Sequence, residues 1–248
     1  MQLLELPTVW DFVVMLCAFV FVILIISFGE LLRKKMNLDV TFTRKLIHLF
    51  AGFAAYTIPF YDHPWMAILV AVTFVVLLFF ASPKSPVKTL SSWFEVMADR
   101  ESDVERGHIY GPIYYSISIS ILVAIFTLNL LPLQYIYTAA MGLTAMYWGD
   151  GLGAPVGKKY GKHQYKILGT RSIEGSLAVL LGSIVGTLVA GWFFGMWAYP
   201  VISDFSRLLY LSIIASVTAT LIEAVSPAEY DNFTIPFVVT FVMYLIGA

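Results

Sequence analysis

The 248-residue chain is 59% hydrophobic and 16% aromatic, with only 12% charged residues and a mean hydropathy of +0.82, which excludes an ordinary water-soluble globule. Fifteen Lys and Arg against sixteen Asp and Glu leave a formal charge of −1, so there is no basic excess of the kind that marks a nucleic-acid partner. The single cysteine, Cys17, excludes a disulfide framework and a thiolate metal cluster.

Read in chain order, the apolar runs predict eight membrane spans, at 9–32, 46–60, 65–81, 112–131, 133–149, 175–197, 205–224 and 233–248. The amino terminus, MQLLELPTVWD, lacks the basic region and cleavage site of a signal peptide, so the first helix is expected to be retained. On this topology the first loop carries Arg33, Lys34, Lys35, Arg44 and Lys45, and the third carries Lys84, Lys88, Arg100 and Arg106. The fifth loop adds Lys158, Lys159, Lys162, Lys166 and Arg171, which leaves Arg207 alone on the other side. The excess of cations on one side predicts both termini outside the cytoplasm. In the third loop, Leu90, Trp93, Phe94 and Met97 recur at i, i+3, i+4 and i+7, the pattern of a short helix lying in the cytoplasmic interface. The expected fold class is therefore all-α: a polytopic helical membrane protein, N-out and C-out, forming one integral-membrane domain over 1–248. No internal repeat or soluble domain interrupts it.

Between the fifth and sixth spans stands GDGLGAPVGKKYGKH, residues 149–163, with five glycines, three lysines and one carboxylate. The fifth span is long enough to cover about 26 Å at 1.5 Å per residue, which puts Asp150 at the cytoplasmic rim of a core about 30 Å thick. Gly149, Gly151, Gly153 and Pro155 argue against a continuous regular helix there, and irregular backbone at membrane depth calls for a polar cavity. Glycines admit close backbone approach to phosphate, lysines neutralise it, and a lone carboxylate beside phosphate suits Mg2+. The stretch does not match the P-loop, because GAPVGKK has three residues between its glycines where four are required and Lys159 stands where Ser or Thr belongs. A helix C-cap followed by a turn with solvated lysines reads the same residues without chemistry.

Three more groups fall on the same side. TRKLIHLFAG brings Arg44 and Lys45 to the start of the second span, with His48 one turn deeper on the face of Arg44. That fork of donors suits phosphate oxygens, or simply anchors the helix. GTRSIEGS opens the sixth span with Ser172 as N-cap and Glu174 in the first turn, where a carboxylate either complements the helix dipole or binds metal or nucleotide. EAVSPAEYDNFTIP joins the last two spans, with Glu223 ending one helix and Asp231 and Asn232 beginning the next. The loop carries Glu223, Glu229 and Asp231 without a cation of its own, so these carboxylates serve a divalent metal or pair with Arg44, Lys45 or Arg171.

RKLIH, GDGLGAPVGKKYGKH, RSIEGS and EAVSPAEYDNFTIP, in this order from residue 44 to 236, resemble the CTP-dependent lipid kinase family of dolichol kinase, phytol kinase and the CTP-using diacylglycerol kinases. The resemblance implies CTP as phosphoryl donor, Mg2+, a membrane-embedded lipid alcohol as acceptor and an active site facing the cytoplasm. The membrane would be the plasma membrane in a prokaryote or the endoplasmic reticulum in a eukaryote. Arg44 and Lys45 match the family's Arg-Lys pair, Asp150 its Gly-Asp acid and Gly157 its Gly-Lys glycine. Glu174 and Gly175 match its Ser-x-Glu-Gly acid, and Asp231 and Asn232 its Asp-Asn pair. Arg171 stands before Ser172 where the family often has lysine, which keeps the charge. The chain resembles the compact form, without the extra amino-terminal spans of the large eukaryotic dolichol kinases.

Phosphoryl transfer is governed mainly by positioning and charge neutralisation. On the resemblance, Arg44, Lys45 and Lys158 or Lys162 hold phosphate, Asp150 and Asp231 hold Mg2+ with Glu174 in support, and Gly151, Gly153 and Gly157 give close backbone approach. Arg171, Ser172 and Asn232 complete the nucleotide site, and Asp150 is preferred over His48 as acceptor of the alcohol proton. A CDP-lipid synthase would share these needs but release pyrophosphate. A transporter would carry repeats and ionisable groups at the midplane, where this chain has only hydroxyls such as Ser118, Ser183 and Thr218.

Overall fold

The computed structural model describes residues 5–36, 38–98, 105, 109–227 and 230–247. Arg100, Arg106 and Glu229, which the topology and the acidic loop invoke, lie outside them. Among the described residues the protein is helical, with 81% helix and 3% strand. Among the described residues four helices are long and apolar enough to cross a membrane: Val9–Met36, Tyr110–Thr127, Ile173–Ala198 and Phe205–Val225. The apolar helices Pro64–Phe80 and Asp231–Gly247 are shorter. The chain divides into two compact units, Met1–Ser120 and Ile121–Ala248.

In the first unit, α1 (Val9–Met36) ends on Arg33, Lys34 and Lys35, whose charge complements the C-terminal end of the helix dipole. The next helix, α2 (Val40–Ala51), is capped by Asp39, whose carboxylate accepts from Thr41 N at 2.9 Å, and it runs on as a 3-10 segment, Gly52–Phe60. Arg44 and Lys45 therefore sit in the second turn of a helix that starts at Val40. After α3 (Ala67–Phe80) and α4 (Lys88–Met97), α5 (Tyr110–Thr127) carries the boundary between the units.

Ala18, Val22 and Ile26 recur every fourth residue on α1 and pack with Ile47, Phe74 and Leu78. Trp93, Phe94 and Met97 of α4 belong to the same buried core. The helix expected in the third loop thus exists, but its apolar stripe is covered by neighbouring helices and does not lie open to lipid. At the start of α1, buried Asp11 accepts from His63 N at 3.0 Å and from Thr8 N at 2.9 Å, and lies 2.7 Å from His63 Nδ1. That hydrogen bond, with Glu5 a further carboxylate 3.7 Å from Nε2, holds the His63 imidazole above its usual pKa.

In the second unit, all nine residues of α6 (Ile136–Thr144) are buried, as expected of a helix apolar on every side. The chain continues as a π-helical segment, Ala145–Asp150, and then as α7 (Gly151–Tyr160). A two-stranded antiparallel hairpin follows, β1 (Gln164–Lys166) and β2 (Thr170–Ser172), then α8 (Ile173–Ala190) with a π-helical extension to Ala198. The unit closes with α9 (Phe205–Val225) and α10 (Asp231–Gly247). Exposed Ile173, Leu177, Leu181 and Val185 form a stripe along α8, opposite buried Gly175, Val179, Gly182 and Gly186. Such an apolar stripe is the face a membrane helix offers to lipid.

Candidate functional site

The glycine-rich stretch is helical, which corrects the expectation of irregular backbone after the fifth span. Its irregularity is confined to the π turn that delivers Asp150. A π turn shifts the hydrogen-bonding register, and here Ser183 Oγ of α8 donates to Ala145 O at 3.1 Å. Asp150 ends this segment and is buried.

Gly149, Gly153, Gly157 and Gly161 recur every fourth residue and so share one face. A Cβ on Gly153 would collide with Val179 Cγ2, and one on Gly149 with Ser183 Oγ. Across the contact, a Cβ on Gly175 would lie 3.2 Å from both Gly153 O and Gly157 Cα, so α7 and α8 meet backbone to backbone. This is the small-residue packing by which membrane helices associate closely. Gly151 is buried within α7.

Packed so closely, α7 and α8 leave room at their end for a cavity of about 270 Å³. Its wall includes Gly153, Gly157 and Lys158 of α7, Gln164, Thr170, Arg171 and Ser172 of the hairpin, Gly175 and Ser176 of α8, and Glu223 of α9. Ser172 caps α8, its hydroxyl accepting from Gly175 N at 3.1 Å, so the positive end of the α8 dipole forms part of the wall. Lys158 and Arg171 against Glu223 leave that wall net cationic. Typical small-molecule pockets run from roughly 300 to 1,000 Å³, so this cavity suits phosphate groups better than a whole nucleotide.

The hairpin lies across the ends of three helices. In its register Tyr165 opposes Arg171. The Tyr165 hydroxyl is 2.6 Å from Ser176 Oγ on α8, and Ser176 donates to Glu223 Oε2 at 3.4 Å. Arg171 Nε stands 3.0 Å from Glu223 Oε1, while Nη2 is 3.6 Å from Asp231 Oδ2 and 3.4 Å from Ser226 O. Both carboxylates are buried and the Arg171 side chain is 16% exposed, so this cluster is screened far less than a surface pair. Of the alternatives for the acidic loop, pairing with Arg171 is therefore realised for Glu223 and Asp231. Asp231 opens α10, where the helix dipole favours its charge, and accepts from Asn232 N at 2.9 Å.

Glu174 faces elsewhere. Its Oε1 lies 2.7 Å from His163 Nδ1, and its Oε2 accepts from the backbone N–H groups of Lys162 and His163 at 3.2 and 3.3 Å. With Ile173 N donating to His163 O at 2.9 Å, these bonds close the base of the hairpin onto α8.

Among the residues expected at the site, the structure thus brings Gly153, Gly157, Lys158, Arg171 and Ser172 into one wall, with Asp231 attached through Arg171. Asp150, Gly151, Lys162, Glu174 and Asn232 are not in that wall. Arg44, Lys45 and His48 belong to the first unit and are buried there. The His48 ring lies 4.2 Å from that of Tyr115, whose hydroxyl donates to His48 O at 3.0 Å. Ser176 and Tyr165 are additions to the expected set, and neither carried a signal in the sequence; Glu223 was expected as one of the acids serving metal or pairing with a cation such as Arg171. Among the described residues no three His, Cys, Asp or Glu side chains gather to hold a metal. Mg2+ needs no such group, since one or two carboxylates with substrate phosphates and water complete its shell.

Neither a protein-family model nor a solved structure matches the chain. It is 32% identical over 211 residues to the phytol kinase of Synechocystis sp., an alignment that spans 84% of this chain and 80% of the relative. At that identity over most of both proteins, the chain belongs to the CTP-dependent lipid kinase family that includes phytol kinase.

Proposed function

We propose that this membrane protein transfers the γ-phosphoryl group of CTP to a lipid alcohol of the polyprenol or phytol type, giving lipid monophosphate and CDP. The observation that carries the reading is the cationic cavity at the α7–α8 contact, where Lys158, Arg171 and the α8 N-terminus meet at the end of a membrane-length helix. A long-tailed alcohol held between helices in the lipid would present its hydroxyl at such an end.

In the reaction the acceptor oxygen attacks the γ-phosphorus, the bond from that phosphorus to the β-bridging oxygen breaks, the hydroxyl proton leaves, and CDP departs. Lys158 and Arg171 neutralise phosphate oxygens, and Gly153 and Gly157 keep side chains out of their way. That Asp150, outside this wall, takes the alcohol proton rests on the family resemblance. Glu223 aims Arg171 from behind, and Glu174 keeps the hairpin closed over the cavity. Phosphate contacts by Arg44, Lys45 and Lys162, and nucleotide contacts by Asn232, rest on the family resemblance. On the family resemblance, Asp150 and Asp231 would hold Mg2+, which takes one or two carboxylates beside phosphate and water. When bound, the ion would spread the charge developing on the transferred group. The proposed topology has eight spans, both termini outside, and the cavity on the cytoplasmic side.

The test incubates purified protein in phosphatidylcholine vesicles with CTP, ATP or GTP and a panel of phytol, polyprenols and diacylglycerol. The reading expects CTP to outperform the purine nucleotides and a long-chain alcohol to be phosphorylated. Nucleotide-independent solute flux with no phosphorylated lipid would replace it with transport.

A further inference from the structure

The hairpin presents two faces of opposite character. Tyr165 and Arg171 turn inward to Ser176, Glu223 and Asp231, while the connecting residues Ile167 and Leu168 are 54% and 66% exposed. Two large aliphatic side chains at the tip of a short hairpin have no role in closing the cavity. We infer that this tip is a lipid-docking element, seated in the anionic headgroup layer of the leaflet beside the cavity.

Geometry gives the direction. Because Arg171 and Tyr165 touch α8, α9 and the start of α10, the hairpin lies sideways across the helix ends. Three further residues at about 3.3 Å each carry the chain at most about 10 Å past that anchor before it turns back. The tip lies beyond the anchored pair, on a hairpin whose second strand runs directly into Ile173, the first residue of the exposed apolar stripe of α8. Charge points to the same occupant. Lys159, Lys162 and Lys166 are exposed on this end of α7 and on the hairpin, and so is Tyr160, the residue type that settles at headgroup level. Aliphatic residues flanked by lysines and a tyrosine match a surface of anionic headgroups over acyl chains.

The seat has a consequence for the proposed reaction. β2 carries Arg171, so a tip held in the leaflet holds the arginine in the cavity wall next to the lipid acceptor.

The free cysteine Cys17 is first removed as Cys17→Ser, and a spin label is placed by Leu168→Cys or, for comparison, Lys159→Cys. The protein is reconstituted in vesicles of phosphatidylcholine with phosphatidylglycerol. The label at 168 is expected to be relaxed more by oxygen than by a water-soluble nickel chelate, and the label at 159 the reverse. In vesicles containing the acceptor alcohol, Leu168→Asp is expected to raise KM for the nucleotide about tenfold, because the tip positions Arg171 against its phosphates, with Leu168→Met like wild type. A label at 168 as open to nickel as the one at 159 overturns the inference. The accessibility measurement needs no turnover. A water-exposed tip on an active kinase sinks this inference alone, whereas a leaflet-seated tip on an inert protein sinks the kinase reading alone.

Discussion

Removing the Arg171 guanidinium tests whether the cluster around it is structure, chemistry or both. At an effective dielectric of 20, a charge pair at 3.0 Å carries about 5.5 kcal/mol of attraction and one at 3.6 Å about 4.6. Desolvation of the partners offsets most of this, and breaking such a buried pair from one side costs about 3–5 kcal/mol. Arg171→Met removes the guanidinium beside buried Glu223 and Asp231, and the 16% exposure of the arginine argues for the lower end, about 3 kcal/mol. In thermal unfolding of the purified protein in nanodiscs, that is a drop of about 6–12 °C. Adding Glu223→Gln removes the closer of the two carboxylate charges and is expected to recover about half of the drop. Phosphoryl transfer by the double variant should stay at least 100-fold below wild type, because a donor to the phosphates is still missing. A single variant that melts like wild type would show that no buried ion pair exists, and a double variant with full activity would leave Arg171 no part in binding phosphate.

Gly153→Ala should destabilise the protein by about 1–3 kcal/mol through the clash with Val179, and Val179→Ala should restore part of the loss. If the two substitutions simply add, α7 and α8 do not meet at this point. For His63, whose pKa is raised by Asp11, the ion pair contributes fully below the ordinary value of 6.5 and is lost as pH rises through the raised value. The melting temperature should therefore fall from pH 6 to pH 9 in wild type and stay flatter in Asp11→Asn, and equal slopes would refute the pairing. Asp150→Asn, isosteric and uncharged, should lower kcat by 100-fold or more and shift melting by less than about 1 kcal/mol. Retained turnover would remove Asp150 from the chemistry.

Much of this was legible in the residues themselves. Apolar runs gave away the helices, Ser172 announced its helix start three residues ahead of the Gly175 N–H that it accepts, and Asp231 and Asn232 marked the opening of α10. What local pattern could not reveal was packing over distance. Gly149, Gly153, Gly157 and Gly161 read as pliable because the partner that explains their four-residue spacing, Gly175 with Val179, lies elsewhere in the chain. Likewise α4 read as interfacial because its stripe looks the same whether lipid or Phe74 covers it. Strands of three residues are too short to show alternation, so the hairpin went unseen, and with it the route by which Arg171 meets Glu223, 52 positions later in sequence. The π turn that ends at Asp150 leaves no mark in composition, and the hydroxyl that bonds its first carbonyl, Ser183, lies on another helix.

In the proposed reaction the cationic cavity handles the terminal phosphate of a nucleotide beside a lipid hydroxyl. One measurement reaches it most directly: single-turnover label transfer in vesicles containing phytol or a polyprenol, with CTP carrying label at either the α- or the γ-phosphorus. γ-Label is expected in the extracted lipid in step with CDP release, and no α-label there. Label arriving from the α position, or none from either with every alcohol tried, would contradict it.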